Sequence, residues 1–432
     1  MSGPLSLLAS LTNLQVLYVD NNRFNGSVDW LRNFTKLSLV SLKNNLFTGP
    51  LPLLQSSQML SIDFGNCSFT GSVPSSYASM GSLITLHLSG NKLHGPLPDI
   101  FENMTFLRQF QLQNNHFSSS LPESLTKCKS LVYFDVSNNS ISGTLPNFKR
   151  LKKLEYFLVS HNKLTGTIPK NMLVNETNET EARLIGLDLS SNSFSGYISD
   201  FLSIDLNLTN LEYLNLNGNL FSGPVVIPMV DNSTLQKLRT VVLSQNCFTS
   251  IKSMDPFCSA RNLTLLHMGV LYRTSKGKLS VCKGKKSYFE FPYNFGNINT
   301  FSCLFESERS LTTLILTGLG LEGKIPLISN TSKINKLLLN FNQLTGIIIS
   351  FHCTYNTHSY FIIHSFIYLY IGTLPLEYQQ FGKFINFSIE ENKINGSLKL
   401  FNINQELGVS INMSVNRLVL YYIYNNHHYN HF

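Results

Sequence analysis

The sequence predicts an α/β solenoid, a curved superhelix with a parallel β-sheet on its concave face and mostly irregular or 3-10 structure on its convex side. Two observations carry that expectation. First, a pattern L-x-x-L-x-L-x-x-N-x-L/F-x-G-x-L/I-P returns along much of the chain. Its Asn position falls at Asn22, Asn45, Asn91, Asn115, Asn139, Asn162, Asn192, Asn219 and Asn246, with Cys67 in one register. Second, the intervals are 23, 22, 24, 24, 24, 23, 30, 27 and 27 residues, a length that holds one short structural unit. The longer intervals begin where NETNETEA, residues 175–182, adds a polar loop between units.

Each part of the unit has a physical role. The L-x-L alternation turns every second side chain of a short strand inward. A single unit cannot bury its own apolar side, so neighbours stack and share one core. The recurring Asn both donates and accepts, which suits backbone groups left open in the turn. The glycine four residues later, as in Gly26, Gly49 and Gly143, fits a tight bend or a close approach of adjacent coils. The proline that often follows, as in Pro74 and Pro146, ends the extended piece and removes a donor. The pattern is that of a leucine-rich repeat.

The half-motif L-x-G-x-I/L-P, as in LTGTIP and ISGTLP, resembles the plant extracellular leucine-rich repeats of receptor-like kinases, receptor-like proteins and secreted polygalacturonase inhibitors. The resemblance covers Leu11 to about residue 250 and resumes at Leu311. It implies a non-catalytic ectodomain fragment that binds a peptide, a small hormone or a protein partner, with a co-receptor ectodomain as a further candidate. The parent protein would then stand on the extracellular face of the plasma membrane, with a membrane span outside this chain. Alternatives are a secreted inhibitor of polygalacturonase type, or a truncated gene model without independent function. The inhibitors are compact single blocks with cysteine-paired caps, which fits poorly with a chain of 432 residues whose rhythm breaks in the middle. The opening SGPLSLLASLTNL reads as the tail of an earlier unit, so both caps are expected to lie outside the chain. No basic n-region marks a signal peptide there.

Four regions are expected: a first repeat block at 1–250, a non-repeat island at 251–308, a second block at 309–418, and a disordered tail at 419–432. In the second block Leu319 takes the Asn position, and Asn342 follows 23 residues later. In the resembling receptor kinases a split of this kind forms or orients the ligand site. Cys247, Cys258, Cys282 and Cys303 lie in the island or at its edge and allow two disulfides, with three connectivities open. The basic cluster Arg273, Lys276, Lys278, Lys283, Lys285 and Lys286 reads either as a solvated loop or as a patch for an acidic partner.

Residues 347–372 break the rule of the second block. They are apolar and aromatic and contain no Asp, Glu, Lys or Arg. Asn342 and Asn392 lie 50 residues apart, and removing 26 residues leaves 24, the interval of three earlier units. The join also restores NQLTGTLP. His352, Asn356, His358 and His364 argue against a membrane span, so the stretch is expected to be a retained intron rather than an anchor or a folded insertion.

Composition narrows the function further. The charged fraction is 13%, about half the usual ~25%, and the net charge of +8 is thinly spread outside the basic cluster. TGLGLEG carries G-x-G-x-x-G at Gly318, Gly320 and Gly323, yet KIP follows where a phosphate-binding helix should begin. No kinase catalytic loop, nucleophile elbow, triad or nucleic-acid module is present, and the terminal histidines read as a tail, not as a metal site. No enzyme, cofactor, metal or nucleic-acid partner is therefore expected.

Recognition is expected on the concave face, from side chains between or beside the strand leucines: Tyr18, Asp63, His87, Gln111, Tyr133, Asp135, Tyr156, Asp188, Tyr213 and Asn215. Tyrosine beside Asp, Gln and Asn suits an interface. Any such solenoid also needs polar residues there for solubility. Glycan acceptors are expected at Asn33, Asn103, Asn175, Asn178, Asn207, Asn232, Asn262 and Asn330.

Overall fold

The structure, a computed structural model, describes residues 1–148, 151–169, 183–202, 209–227, 235–269, 295–306, 308–323, 326, 332–334, 336–339 and 342–344, with only backbone strands described beyond. The chain folds as two compact units, Met1–Asn219 and Leu220–Phe432.

In the first unit nine three-residue strands form one parallel sheet. They are Val16–Tyr18, Leu39–Ser41, Ser61–Asp63, Thr85–His87, Gln109–Gln111, Tyr133–Asp135, Tyr156–Leu158, Gly186–Asp188 and Tyr213–Asn215. Each strand pairs with its counterpart one repeat away, so Phe110 stands opposite Leu86 on one side and Phe134 on the other. The middle residue points inward and is buried throughout, as the alternation requires. Phe110, Phe134 and Phe157 stack at ring separations of 5.5 and 5.3 Å, and Phe148 packs on the last two. Each fully buried ring contributes about 1.5–3 kcal/mol, and stacking adds to it.

A second parallel ladder runs along the stretch that carries the glycine. Its strands include Arg23–Gly26, Leu46–Pro50, Ser68–Gly71, Lys92–Pro96, His116–Ser119, Ser140–Gly143 and Lys163–Thr167. The sequence suggests a tight bend or a close approach of adjacent coils here, but no strand. The bend is present, with Gly49 at φ 85°, but neighbouring coils also pair backbone to backbone around it. Ser119 holds the same position without glycine, at φ 65°. Opposite the first sheet lie short 3-10 turns, Ser6–Ser10, Asp29–Asn33, Ser75–Ser79 and Glu123–Lys127, so helix content is low.

The asparagines close the coils. Asn115 Oδ1 accepts the Leu93 N–H of the preceding coil at 3.0 Å, while Nδ2 donates to Leu88 O at 2.9 Å and Leu112 O at 3.0 Å. Asn45, Asn91, Asn139, Asn162, Asn192 and Asn219 repeat the arrangement. Cys67 fills one rung with a thiol 3.4 Å from Leu42 O.

The second unit continues the pattern. Thr240–Val242, Leu265–His267, Thr313–Ile315 and Lys336–Leu338 form parallel neighbours in one sheet. The strand Leu265–His267 lies inside the expected island of 251–308, which therefore includes a repeat coil. The frame is Leu263-x-x-Leu266-x-Met268, with all three buried. Methionine fills the last core position, and the Asn position is occupied by Leu271, so the pattern was hidden. The helix Asp255–Ser259 and the 3-10 helix Ile298–Phe305 are joined by a Cys258–Cys303 disulfide. Cys247 is also disulfide-bonded. Arg309 holds the same corner, its Nη2 donating to Cys258 O at 2.6 Å.

Residues 347–372 lie outside the described residues except for a backbone strand at Ile363–His364. The tail from 419 was expected to lack order. Its backbone instead forms strands, Arg417–Tyr424 antiparallel to His427–Asn430, because RLVLYYIY is rich in residues that favour extended structure.

Candidate ligand-recognition face

All ten expected face residues are described, and all lie in the first unit. Because a strand alternates, the residues on either side of the buried middle position share the outward face. Successive strands then set them in two rows. Tyr133, Tyr156, Gly186 and Tyr213 are register neighbours in one row. Asp135, Leu158, Asp188 and Asn215 form the other.

The tyrosine row is packed. The Tyr133 and Tyr156 rings stand 5.3 Å apart. Tyr156 leans onto Gly186, where any added Cβ would meet its Cδ1 at 2.8 Å. Gly186 is the contributor the sequence reading missed, since a residue defined by what it lacks gives no positive signal at a variable position. Beyond it, Tyr213 Oη donates to Asp188 Oδ2 at 3.2 Å, and Asn215 Nδ2 lies 3.3 Å from the same oxygen and 3.0 Å from the Tyr213 oxygen. Burial and the Asp188 charge push the Tyr213 hydroxyl up to about 12, so it stays a donor. Burial, Asp135 and the neighbouring Tyr156 likewise raise Tyr133.

The acidic row does two jobs. Asp63 Oδ1 accepts the Gly65 N–H, Asp135 Oδ1 the Ser137 N–H, Asp188 Oδ1 the Ser190 N–H and Asn215 Oδ1 the Asn217 N–H. One oxygen of each thus closes the turn at the strand end, a local bond that short polar side chains favour. On the face, the second oxygen of Asp188 receives Tyr213 and Asn215, and that of Asp63 meets His87.

A smaller cluster sits two strands away. His87 Nδ1 lies 3.4 Å from Asp63 Oδ2, and its Nε2 lies 3.0 Å from Gln109 Oε1. Burial raises the Asp63 carboxyl, but bonds from His87 and Gly65 outweigh it and leave the group below its ordinary value. Asp135 differs. Burial raises it, the Ser137 bonds oppose, and the charge of Asp188 adds to the rise. Gln111 shares this face between the clusters, and Tyr18, 61% exposed, stands apart on the first strand.

Of the glycan candidates, Asn33, Asn103 and Asn262 are exposed, whereas Asn175, Asn178, Asn207, Asn232 and Asn330 lie outside the described residues. So do Cys282 and the whole basic cluster from Arg273 to Lys286.

Residues 82–104, 106–128 and 130–150 match the family model described as Leucine Rich Repeat. The fold is the leucine-rich-repeat solenoid. Solved structures share it over nearly all of this leucine-rich-repeat chain. "Plant peptide hormone receptor RGFR1 in complex with RGF2" is 20% identical at TM-score 0.69, covering 98% of this chain and 66% of its own. "Crystal structure of PEPR1-AtPEP1" is 24% identical at TM-score 0.72, covering 97% and 58%. The Arabidopsis receptor kinase HAESA ectodomain, in complex with an N-terminally extended IDA peptide hormone ligand, is 23% identical at TM-score 0.71, covering 99% and 66%. The leucine-rich-repeat chain thus spans less than two thirds of the length of each. No curated protein sequence matches it significantly. Among the described residues no helix is long and apolar enough to cross a membrane.

Proposed function

We propose that this chain is the ligand-recognition part of a plant-type leucine-rich-repeat receptor ectodomain, that it binds a peptide or similar partner on the strand face of its first unit, and that it performs no chemistry itself. The observation that carries the reading is the continuous surface of Tyr133, Tyr156 and Tyr213 beside Asp188 and Asn215. Rigid aromatic rings that present large area at low entropy cost are typical anchors of recognition surfaces. Asp188, Tyr213 and Asn215 hold one another in place, which lowers the ordering cost of binding. The solved neighbours include peptide-hormone receptors, which fits an extended ligand laid across the strands. In a parent receptor this face would stand outside the cell and signalling would belong to segments beyond this chain.

The test is a binding screen of the secreted chain against a panel of synthetic 5–15-residue peptides, read by thermal shift and titration calorimetry. Hits should lose at least tenfold in affinity with Tyr156→Ala and with Tyr213→Phe. Hits that bind both variants as well as the unaltered chain would move recognition away from this face.

A further inference from the structure

The chemistry of this face selects a class of ligand. We infer that the face between the strands Tyr133–Asp135 and Tyr213–Asn215 binds an extended peptide through an Arg or Lys side chain, seated over Leu158 between Asp135 and Asp188; this deepens the recognition reading above and rests on it.

Three observations support the assignment. Asp135 and Asp188 flank Leu158 in one register row. With strands ~4.8 Å apart, a cation above Leu158 would lie roughly 5 Å from each carboxylate. Leu158 offers an apolar floor for the methylene stem of such a side chain, and Tyr156, two residues earlier on the same face, offers a ring for its charged head.

The second observation is an uncompensated charge. Asp135 is only 6% exposed, yet its single hydrogen-bonding partner is Ser137, and no cation lies within ion-pair distance among the described residues. The charge nearest in kind is another carboxylate, Asp188. Burying a carboxylate without a counter-charge is costly, and the cost is relieved when a cation arrives.

The third observation concerns the neighbourhood. The outward positions of these four strands, and the residues just before them, contain Glu155 and Glu212 but neither Lys nor Arg. The first unit as a whole carries fifteen Lys and Arg against fifteen Asp and Glu. The patch is therefore a local acidic excess on a neutral unit, which favours a cationic segment there.

The test uses the full 432-residue chain and a phage-displayed random decapeptide library. Selection on the unaltered chain is followed by counter-screening on Asp135→Asn/Asp188→Asn and, separately, on Tyr156→Ala, with folding of each checked by Trp30 fluorescence. The expected result is peptides with one fixed Arg or Lys, bound at least tenfold more weakly by the Asn pair, and bound more weakly as salt rises from 50 to 300 mM. Replacing that Arg or Lys by Gln should abolish the difference between the unaltered chain and the Asn pair. Peptides that lose affinity on Tyr156→Ala but not on the Asn pair would overturn the cationic assignment and keep the recognition face. Peptides indifferent to all three substitutions, or no enriched peptides, would overturn both.

Discussion

The Asn ladder offers a direct measure of what holds the coils together, because one rung is already altered. At the flanking rungs Phe24 N–H donates to Asn45 Oδ1 and Phe69 N–H to Asn91 Oδ1, each at 3.0 Å. The equivalent donor at the Cys67 rung, Phe47 N–H, meets a sulfur, a weak acceptor. The carbonyls are less exposed to the change. Leu42 O already receives Asn45 Nδ2 at 2.9 Å, and Phe64 O receives Asn91 Nδ2 at 2.8 Å. Cys67→Asn should therefore add one good N–H···O bond and improve one or two that are shared. At about 0.5–1.5 kcal/mol each, less the entropy of fixing the amide, the gain is about 1–2 kcal/mol. For a unit of 219 residues that corresponds to roughly 2–8 °C in midpoint. The reverse change, Asn91→Cys, should cost about as much or more, since Phe69 N–H would lose its oxygen. The assay is urea and thermal unfolding followed by Trp30, which packs edge-on against Phe34 at 5.6 Å in the same coil. If Cys67→Asn leaves the midpoint unchanged while Asn91→Cys is harmless, the rungs are spectators and the coils are held by apolar packing alone.

Other consequences can be measured in the same preparation. Ser119→Gly, which relieves a left-handed backbone at φ 65°, should stabilise the chain by about 1 kcal/mol, whereas Gly143→Ala, at φ 78° with Ser120 Cβ 3.2 Å from the new methyl, should cost at least as much. Breaking Cys258–Cys303 with paired serines should cost about 4 kcal/mol for a separation of 45 residues in the chain-entropy account, read as a lowered denaturation midpoint of the second unit. Burial, helped by Lys336, lowers His267 to about 4, so the unfolded chain binds the proton more readily. The stability this contributes is full above pH 6.5 and drains as pH falls from there towards 4, and His267→Gln should flatten that part of the profile. Cys67 and Cys128, pushed by burial to about 11 and about 12, should resist iodoacetamide at pH 8 until the fold is opened by urea.

The first sheet was legible because its signal is repeated and positive: an apolar residue at each inward position, and an asparagine at every turn but the one held by Cys67. The second ladder was not, because it rests on backbone pairing that N-x-L/F-x-G does not announce by side-chain type. Leu265–His267 escaped for a different reason. Its core positions are intact, but methionine and a missing Asn broke the letters without breaking the volume. The face shows the same division. Tyr133, Tyr156, Tyr213 and Asp188 could be read from their positions between leucines. Gly186, which lets Tyr156 lie down, could not. Nor could the division of labour in the acidic row, where the bond to the N–H two residues on depends on turn geometry as well as residue type.

That division makes Asp135 a place where stability and recognition can be separated. An Asn there keeps an oxygen for the Ser137 N–H and removes the buried charge. Asp135 is raised by burial, so its ionised form disfavours folding, and that burden grows as pH rises through the carboxylate range. Asp135→Asn should then raise the unfolding free energy at pH 7 by about 1 kcal/mol and leave it nearly unchanged at pH 3, where the native carboxyl is protonated. Solubility alone would be served as well by Asn as by Asp. A charge kept at a cost to the fold, beside Asp188 and with no cation to meet it among the described residues, is better explained by something that binds there. If Asp135→Asn destabilises the chain at pH 7 as much as at pH 3, the carboxylate is part of the turn and nothing more, and the acidic row loses its claim on a ligand.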